Sequence, residues 1–253
     1  MTGTCVIFDA SNVLYRSFHA DAARPEGALT APDGFPTGAL LGWYRTLLKF
    51  REMYQPEMMI AAFDGGIPQF RFDACPDYKA NRAPRDPGLK QQIDDAYAHT
   101  HLFGITAVKF PQTEADDIIG TLAKKWGGDR VLIVSDDKDL GQCVTERVHQ
   151  VKSPRGGDWR VCGPAEIQAA FKVSIAQIPE FLALTGDSSD NIPGLPNVGP
   201  VTAVKWLTKY GSIASLIEKA STVEPARFAD VVAQNAESLL GYLKVTTLHA
   251  VEC

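Results

Sequence analysis

The chain has 253 residues, 45% of them hydrophobic and 22% charged, and 25 Lys and Arg face 30 Asp and Glu for a formal net charge of −5. This ordinary globular balance excludes a disordered chain and a collagen-like or repeat polymer. No run approaches the ~18 consecutive apolar residues of a membrane-spanning helix. The start, Met1-Thr2-Gly3-Thr4, lacks a basic segment and runs straight into a strand-like stretch, so no secretory leader is expected. Cys5, Cys75, Cys143, Cys162 and Cys253 form no CxxC pair and are odd in number, which points to a reducing, cytoplasmic setting.

In chain order, short apolar runs read as buried parallel strands: Cys5 to Phe8, Met58 to Phe63, a weaker Ile105 to Phe110, and Val131 to Val134. Helical patterns lie between them at about 36–54, 88–103 and 114–126. Alternation of this kind predicts an α/β fold with right-handed crossovers.

Acidic residues stand at the ends of these strands. The first run ends at Asp9, the second at Asp64, and the last leads into Ser135-Asp136-Asp137-Lys138-Asp139. In open α/β sheets the binding crevice lies at the carboxyl ends of the strands. Aspartate also favours turns, which accounts for any one of these positions better than for all three. Thr113 reads as an N-cap opening a helix whose start carries Glu114, Asp116 and Asp117. One or two acids would satisfy the helix dipole; three at a strand's carboxyl end read better as metal ligands.

A further acid pair, Asp187 and Asp190, precedes a Pro/Gly-punctuated loop and a helix opened by Gly199-Pro200. The loop resembles a helix–hairpin–helix element. There a tight turn and a helix N-terminus present backbone N–H groups to phosphates without reading base sequence. Asn197 stands where such hairpins usually carry glycine, and it tolerates a left-handed backbone. Val201 stands where related sequences often carry lysine. Near the end, about 233–245 is helix-like, and residues 212–253 show no chemistry.

Taken together, the pieces resemble the 5′→3′ nuclease domain of bacterial DNA polymerase I and the stand-alone flap endonucleases of bacteria and phages. The resemblance rests on Phe8-Asp9-Ala10-Ser11-Asn12 with Tyr15-Arg16, Phe63-Asp64, and Arg71 with Pro76-Asp77-Tyr78-Lys79-Ala80-Asn81-Arg82. It continues through Glu114-Ala115-Asp116-Asp117, Asp137-Lys138-Asp139, and Leu184-Thr185-Gly186-Asp187 to Asp190-Asn191-Ile192-Pro193-Gly194, in order across roughly residues 5–215.

The resemblance implies a PIN-like parallel-sheet nuclease core with helices on both faces at 1–165, with an arch region at about 78–110. A helical region with a helix–hairpin–helix (H3TH) DNA-binding element would occupy 166–253. It implies two divalent cations, Mg²⁺ or Mn²⁺, held by Asp9, Asp64, Glu114, Asp116, Asp117, Asp137, Asp139, Asp187 and Asp190, with Asp136 given no ligand role. Adjacent carboxylates cannot all stay ionised without cations, and hard ions suit oxygen donors. Two ions ~4 Å apart would clamp the scissile phosphodiester. Without these nine acids, the remaining acidic residues are fewer than the 25 basic ones, so the rest of the chain is mildly basic.

By the same resemblance Lys79, Arg16 and Arg82 are catalytic, stabilising transition-state charge. Tyr78 would stack on a terminal base. Arg71, Gly194, Asn197, Gly199, Thr202 and Lys205 would contact DNA, with Arg85 and Lys90 adding basic charge. A monovalent ion at the hairpin belongs to the pattern. The partners are DNA with a 5′ flap or 5′ end and an RNA–DNA primer junction, with no membrane and a monomeric chain. A non-cleaving branched-DNA binder and a PIN-type RNA-directed nuclease remain as alternatives. A dehalogenase-like phosphatase fails, because its general acid would stand where Ser11 does.

Overall fold

The structure is a computed structural model that describes residues 3–153 and 158–252, so Met1, Thr2 and Cys253 lie outside the described residues. The strands are β1 (Thr4–Asp9), β2 (Met58–Ala62), β3 (Thr106–Val108), β4 (Arg130–Val134), β5 (Val148–Lys152) and β6 (Arg160–Cys162). The helices are α1 (Ala10–Ala22), α2 (Gly38–Tyr54), α3 (Gln69–Ala74), α4 (Pro87–His99), α5 (Ala115–Lys125), α6 (Pro164–Phe171), α7 (Ile178–Thr185), α8 (Pro200–Tyr210), α9 (Ile213–Glu218), α10 (Ala229–Gln234) and α11 (Ala236–Thr246). Among the described residues no helix is long and apolar enough to cross a membrane. The chain divides into two compact units, one of residues 1–66, 84–163 and 249–253, the other of residues 67–83 and 164–248.

The first unit carries a six-stranded sheet ordered β3-β2-β1-β4-β5-β6, parallel throughout except for β6, which runs antiparallel to β5. All four expected strands are present, and β5 and β6 extend the sheet beyond them. β1 is central: Val6 pairs with Met59 on one side and Leu132 on the other. Flanked on both edges and covered on both faces, it needs an unbroken apolar run, and Val6, Ile7 and Phe8 are fully buried. Side chains alternate along each strand. Val6, Phe8, Met59, Ala61, Leu132 and Val134 pack with Trp43, Leu47 and Phe50 of α2 and Leu89 and Ile93 of α4. Phe8 meets Trp43 and Phe50 edge-on, at ring-centroid distances of 5.8 and 5.5 Å. The opposite alternation, Ile7, Ile60 and Ile133, turns to the face against which α5 packs.

Sequence order reverses at β1, whose neighbours are β2 and β4. A crevice opens at such a switch point, at the strands' carboxyl ends.

The second unit is helical. α11 packs on α7 and α3, and α7 packs on α8. Trp206 of α8 is buried against Phe228 at 5.3 Å and donates its indole N–H to the Glu224 carbonyl at 3.1 Å. The helix expected near 233–245 is interrupted: α10 ends at Gln234 and α11 begins at Ala236, with Asn235 between them outside helical geometry.

Candidate metal centre and nucleic-acid interface

In the sheet unit, Asp9 ends β1 and is also the N-cap of α1. Its Oδ1 accepts the Asn12 N–H at 3.0 Å, and its Oδ2 accepts the Ser135 hydroxyl at 2.8 Å. One residue thus stops a strand, caps a helix and is held by the turn after β4. Burial pushes the Asp9 carboxyl up to about 7; Asp64 and Asp137 add to the rise by repulsion, and the two hydrogen bonds oppose it.

Asp64 lies just past β2. Its Oδ2 accepts the Ser11 hydroxyl at 2.6 Å and lies 3.5 Å from Arg85 Nη2. Its Oδ1 accepts the Ala115 N–H at 3.0 Å, supplying the start of α5 with a cap from another strand. This corrects the expected N-cap: Thr113 donates to the Pro111 carbonyl instead, and Glu114 occupies the cap position without a side-chain cap bond. A helix end needs an acceptor, whatever its source, and the carboxylate from β2 takes the place that Thr113 would have filled.

Glu114 and Asp117 are buried, and Asp116 is half-buried, at this helix start. α5 packs against a 3-10 turn, Asp139–Cys143. Burial pushes the Cys143 thiol up to about 12; nearby Asp116 and Asp117 add to this rise and Lys124 opposes it. The α5 acids and the turn opened by Asp139 are therefore electrostatic neighbours. Asp137 Oδ1 accepts the Asp139 N–H at 2.9 Å, and the Asp137 N–H donates to Ser135 Oγ at 3.1 Å. Asp136 pairs with Arg16 at 2.6 Å. The sheet unit thus places Asp64 and Asp137 both within reach of the Asp9 carboxyl's charge.

In the helical unit, Asp187 and Ile192 exchange two backbone hydrogen bonds, both 2.8 Å, closing the loop that carries Asp190. Asp187 Oδ1 accepts from the Ser189 N–H and hydroxyl at 3.0 and 2.6 Å. The loop requires glycine where the backbone folds onto itself: Gly194 has φ +68, and a Cβ there would collide with the Gly186 nitrogen. Asp190 accepts the Tyr78 hydroxyl at 3.0 Å and Arg82 Nη2 at 2.5 Å, and pairs electrostatically with Lys79 Nζ at 3.6 Å. The Lys79 N–H also donates to the Asp190 carbonyl at 2.9 Å, and Lys79 itself has a left-handed φ of 58°.

Two of the residues expected to contact DNA are buried in this structure. Tyr78 is only 4% exposed and packs with Cys75, Ile192 and Val245, leaving no open ring face for a base. Arg71 is 2% exposed, donates to the Val245 carbonyl at 3.4 Å and lies against the Phe70 ring, so it braces the core. An aromatic ring with an open face is Tyr15 on α1, which is exposed and packs on His19 at 4.3 Å. Its signal in the sequence is its place beside Arg16.

The hairpin has the expected turn: Asn197 adopts φ 62°, and the Val198 N–H closes onto the Leu195 carbonyl at 3.1 Å. Gly199 is the N-cap of α8 and makes no side-chain cap bond. Thr202 is half-buried and Lys205 exposed, while Val201 in the first turn is 86% exposed.

Residues 4–172 match the model of the 5′–3′ exonuclease N-terminal resolvase-like domain, and residues 173–251 that of the 5′–3′ exonuclease C-terminal SAM fold. A 5′–3′ exonuclease of Aquifex aeolicus is 37% identical over 217 residues, 85% of this chain and 72% of that protein. DNA polymerase I of Mycobacterium bovis is 34% identical over 249 residues, covering 97% of this chain and 27% of the polymerase. The chain therefore spans about a quarter of the polymerase relatives it matches. The fold is shared with the bacteriophage T5 D15 flap endonuclease, solved with DNA and metal ions, at a TM-score of 0.79 and 20% identity over 97% of this chain and 89% of that one. The sheet, the helical region and the matched segments agree, and this chain belongs to the 5′–3′ exonuclease family.

Proposed function

We propose that the chain is a structure-specific 5′ nuclease that hydrolyses DNA phosphodiesters at 5′ flaps and 5′ ends, using two divalent cations, Mg²⁺ or Mn²⁺, in flap and primer removal. The observation that carries this reading is the meeting of Asp9, Asp64 and Asp137 at the carboxyl ends of parallel strands. Asp9 is buried and pushed up to about 7. A carboxylate so desolvated and so repelled is relieved by a cation, and a donor set of carboxylate oxygens suits a hard one. In this reading Asp9, Asp64, Glu114, Asp116, Asp117, Asp137 and Asp139 hold the cations, and the family resemblance adds Asp187 and Asp190.

Bound there, divalent ions supply water activation and charge neutralisation for in-line displacement. The chain's own residues do the rest. Arg16 donates to phosphate oxygens, and Lys79 and Arg82 counter developing negative charge. Tyr15 offers a face to a base. Gly194, Asn197, Gly199, Thr202 and Lys205 hold the backbone of the duplex through its phosphates, and a monovalent ion at the hairpin would add positive charge there. A monomer in the cytoplasm completes the reading, in keeping with Cys5, Cys75, Cys143 and Cys162, which are all free thiols.

The test is cleavage of a 5′-flap oligonucleotide in Mg²⁺ and in chelator, beside a matched RNA flap. Mg²⁺-dependent cutting of the DNA flap is expected. Retained binding without cutting would make the chain a branched-DNA binder, and preference for RNA would favour the PIN-type alternative.

A further inference from the structure

We infer that Asp136 is a positioning residue, which holds the Arg16 guanidinium ready for a substrate phosphate; the inference rests on the nuclease reading above. The sequence places two successive acids after β4, and residue type alone does not separate their tasks. The structure does. Asp136 Oδ2 meets Arg16 Nη1 at 2.6 Å, and Asp136 Oδ1 accepts the Ser153 N–H at 2.7 Å. Its own N–H donates to Asn12 Oδ1 at 3.2 Å, and the Asn12 N–H in turn donates to Asp9 Oδ1 at 3.0 Å. The carboxylate is thus tied to the β4 end, to α1 and to the chain after β5. Both of its oxygens are engaged by named donors.

Arg16 is fixed from a second side. Its Cζ lies 4.7 Å from the Trp159 ring centroid, and Trp159 meets the fully buried Phe50 edge-on at 4.9 Å. The guanidinium is therefore held between a carboxylate and an indole that is itself anchored in the core. Its side chain stays 29% exposed, and a guanidinium carries five N–H donors, more than one carboxylate consumes. An ion pair between freely moving surface side chains does little for stability. Here the carboxylate is fixed by backbone groups, and such a pair pre-orders a flexible cation. Asn12 links this pair to Asp9, so Arg16 stands about two helical turns beyond Asp9 along the helix that Asp9 caps.

A positioning carboxylate makes an unusual kinetic prediction. Asp136 itself repels DNA, so its removal should not raise KM. It should nevertheless lower kcat, because Arg16 is no longer held; misplacement on this scale costs on the order of ten- to a hundredfold. The experiment measures kcat and KM on a 5′-flap DNA for wild type, Asp136→Ala, Asp136→Asn, Arg16→Ala and the Asp136→Ala/Arg16→Ala pair. Mn²⁺ affinity by calorimetry and thermal melts are recorded for each.

The expected result has four parts. Asp136→Ala loses kcat with KM unchanged or lowered, and Arg16→Ala loses at least as much. The double variant is no worse than Arg16→Ala alone. Asp136→Asn, which keeps an acceptor for Arg16, recovers part of the loss. Mn²⁺ affinity and melting stay close to wild type in all. A wild-type kcat in Asp136→Ala, losses that multiply in the double variant, or a fall in Mn²⁺ affinity that tracks kcat would each overturn the inference. An inactive wild-type chain would overturn the nuclease reading and this inference with it.

Discussion

Asp117 Oδ1 accepts the backbone N–H of His249 at 2.8 Å, although 132 positions separate the two residues. Two residues further on, the Val251 N–H donates to Thr121 Oγ1 at 2.9 Å, and Thr121 donates to the Asp117 carbonyl at 2.8 Å. The final segment therefore runs along the first turns of α5 and fixes the orientation of a buried carboxylate.

His249→Pro removes that one N–H. A buried acceptor that loses a hydrogen bond costs about 1–3 kcal/mol. The variant should unfold at correspondingly lower denaturant, bind Mn²⁺ several-fold more weakly, and lose kcat more than KM. Calorimetry and single-turnover cleavage of a 5′-flap check this. Unchanged Mn²⁺ affinity would show that Asp117 needs no help from the tail.

Asp9 makes stability depend on pH in a definite direction. Its carboxyl is pushed from 3.8 to about 7 in the folded chain, chiefly by burial. The native state therefore holds the proton more tightly than the unfolded state. The contribution of Asp9 to stability is fully present below about pH 4 and is lost as pH rises through about 7, on the order of 4 kcal/mol at 1.36 kcal/mol per pKa step. Saturating Mg²⁺ binds the ionised form and should restore stability most strongly near pH 7 and above. Urea melts across pH 5–8 in chelator and in Mg²⁺ test this, and Asp9→Asn should flatten the chelator profile.

Asp190 and Asp187 should respond differently to substitution. Asp190 holds Lys79, whose side chain is 10% exposed, together with Arg82 and Tyr78. Asp190→Ala removes a carboxylate from beside a mostly buried cation and should cost about 3 kcal/mol. Asp187→Asn keeps an oxygen acceptor for Ser189 and should unfold within about 1 kcal/mol of wild type, yet lose cleavage while retaining most DNA affinity. Melting curves beside gel-shift and cleavage assays separate the two. A large stability loss in Asp187→Asn would assign that residue to the scaffold instead.

Val201 stands almost fully exposed in the first turn of α8. If the hairpin grips phosphates, Val201→Lys adds one cationic contact. DNA affinity should rise several-fold at low salt, and the slope of log affinity against log salt should steepen by about 0.9. An unchanged slope would place the phosphates elsewhere.

Strands β1, β2 and β4 were legible because burial on both faces forces unbroken apolar runs, as in Val6-Ile7-Phe8, whereas β5 and β6, interrupted by polar residues at one side of the sheet, were not. α1 was harder to see: Asp9 ends a strand and caps a helix with no linker between, so no turn marks the change. The left-handed backbone at Asn197 was legible from the residue's own tolerance. The tasks of Arg71 and Tyr78 were not. Both lie in a motif rich in basic residues, but the segment 67–83 clusters with residues 164–248, and burial there turned a basic and an aromatic side chain into core. His249 could not have been found from residue type, since its contribution is a main-chain N–H that every residue but proline carries.

What the sequence determined by itself is local: which runs are apolar enough to be buried, which residues stop them, and how many carboxylates are available. Those properties come from side-chain chemistry and nearest neighbours along the chain. Tertiary structure decided which acids share a charge environment, which of Asp136 and Asp137 is spent on an arginine, and which cations are exposed. These depend on desolvation and on distances between segments far apart in sequence, and neither quantity exists until the chain is folded.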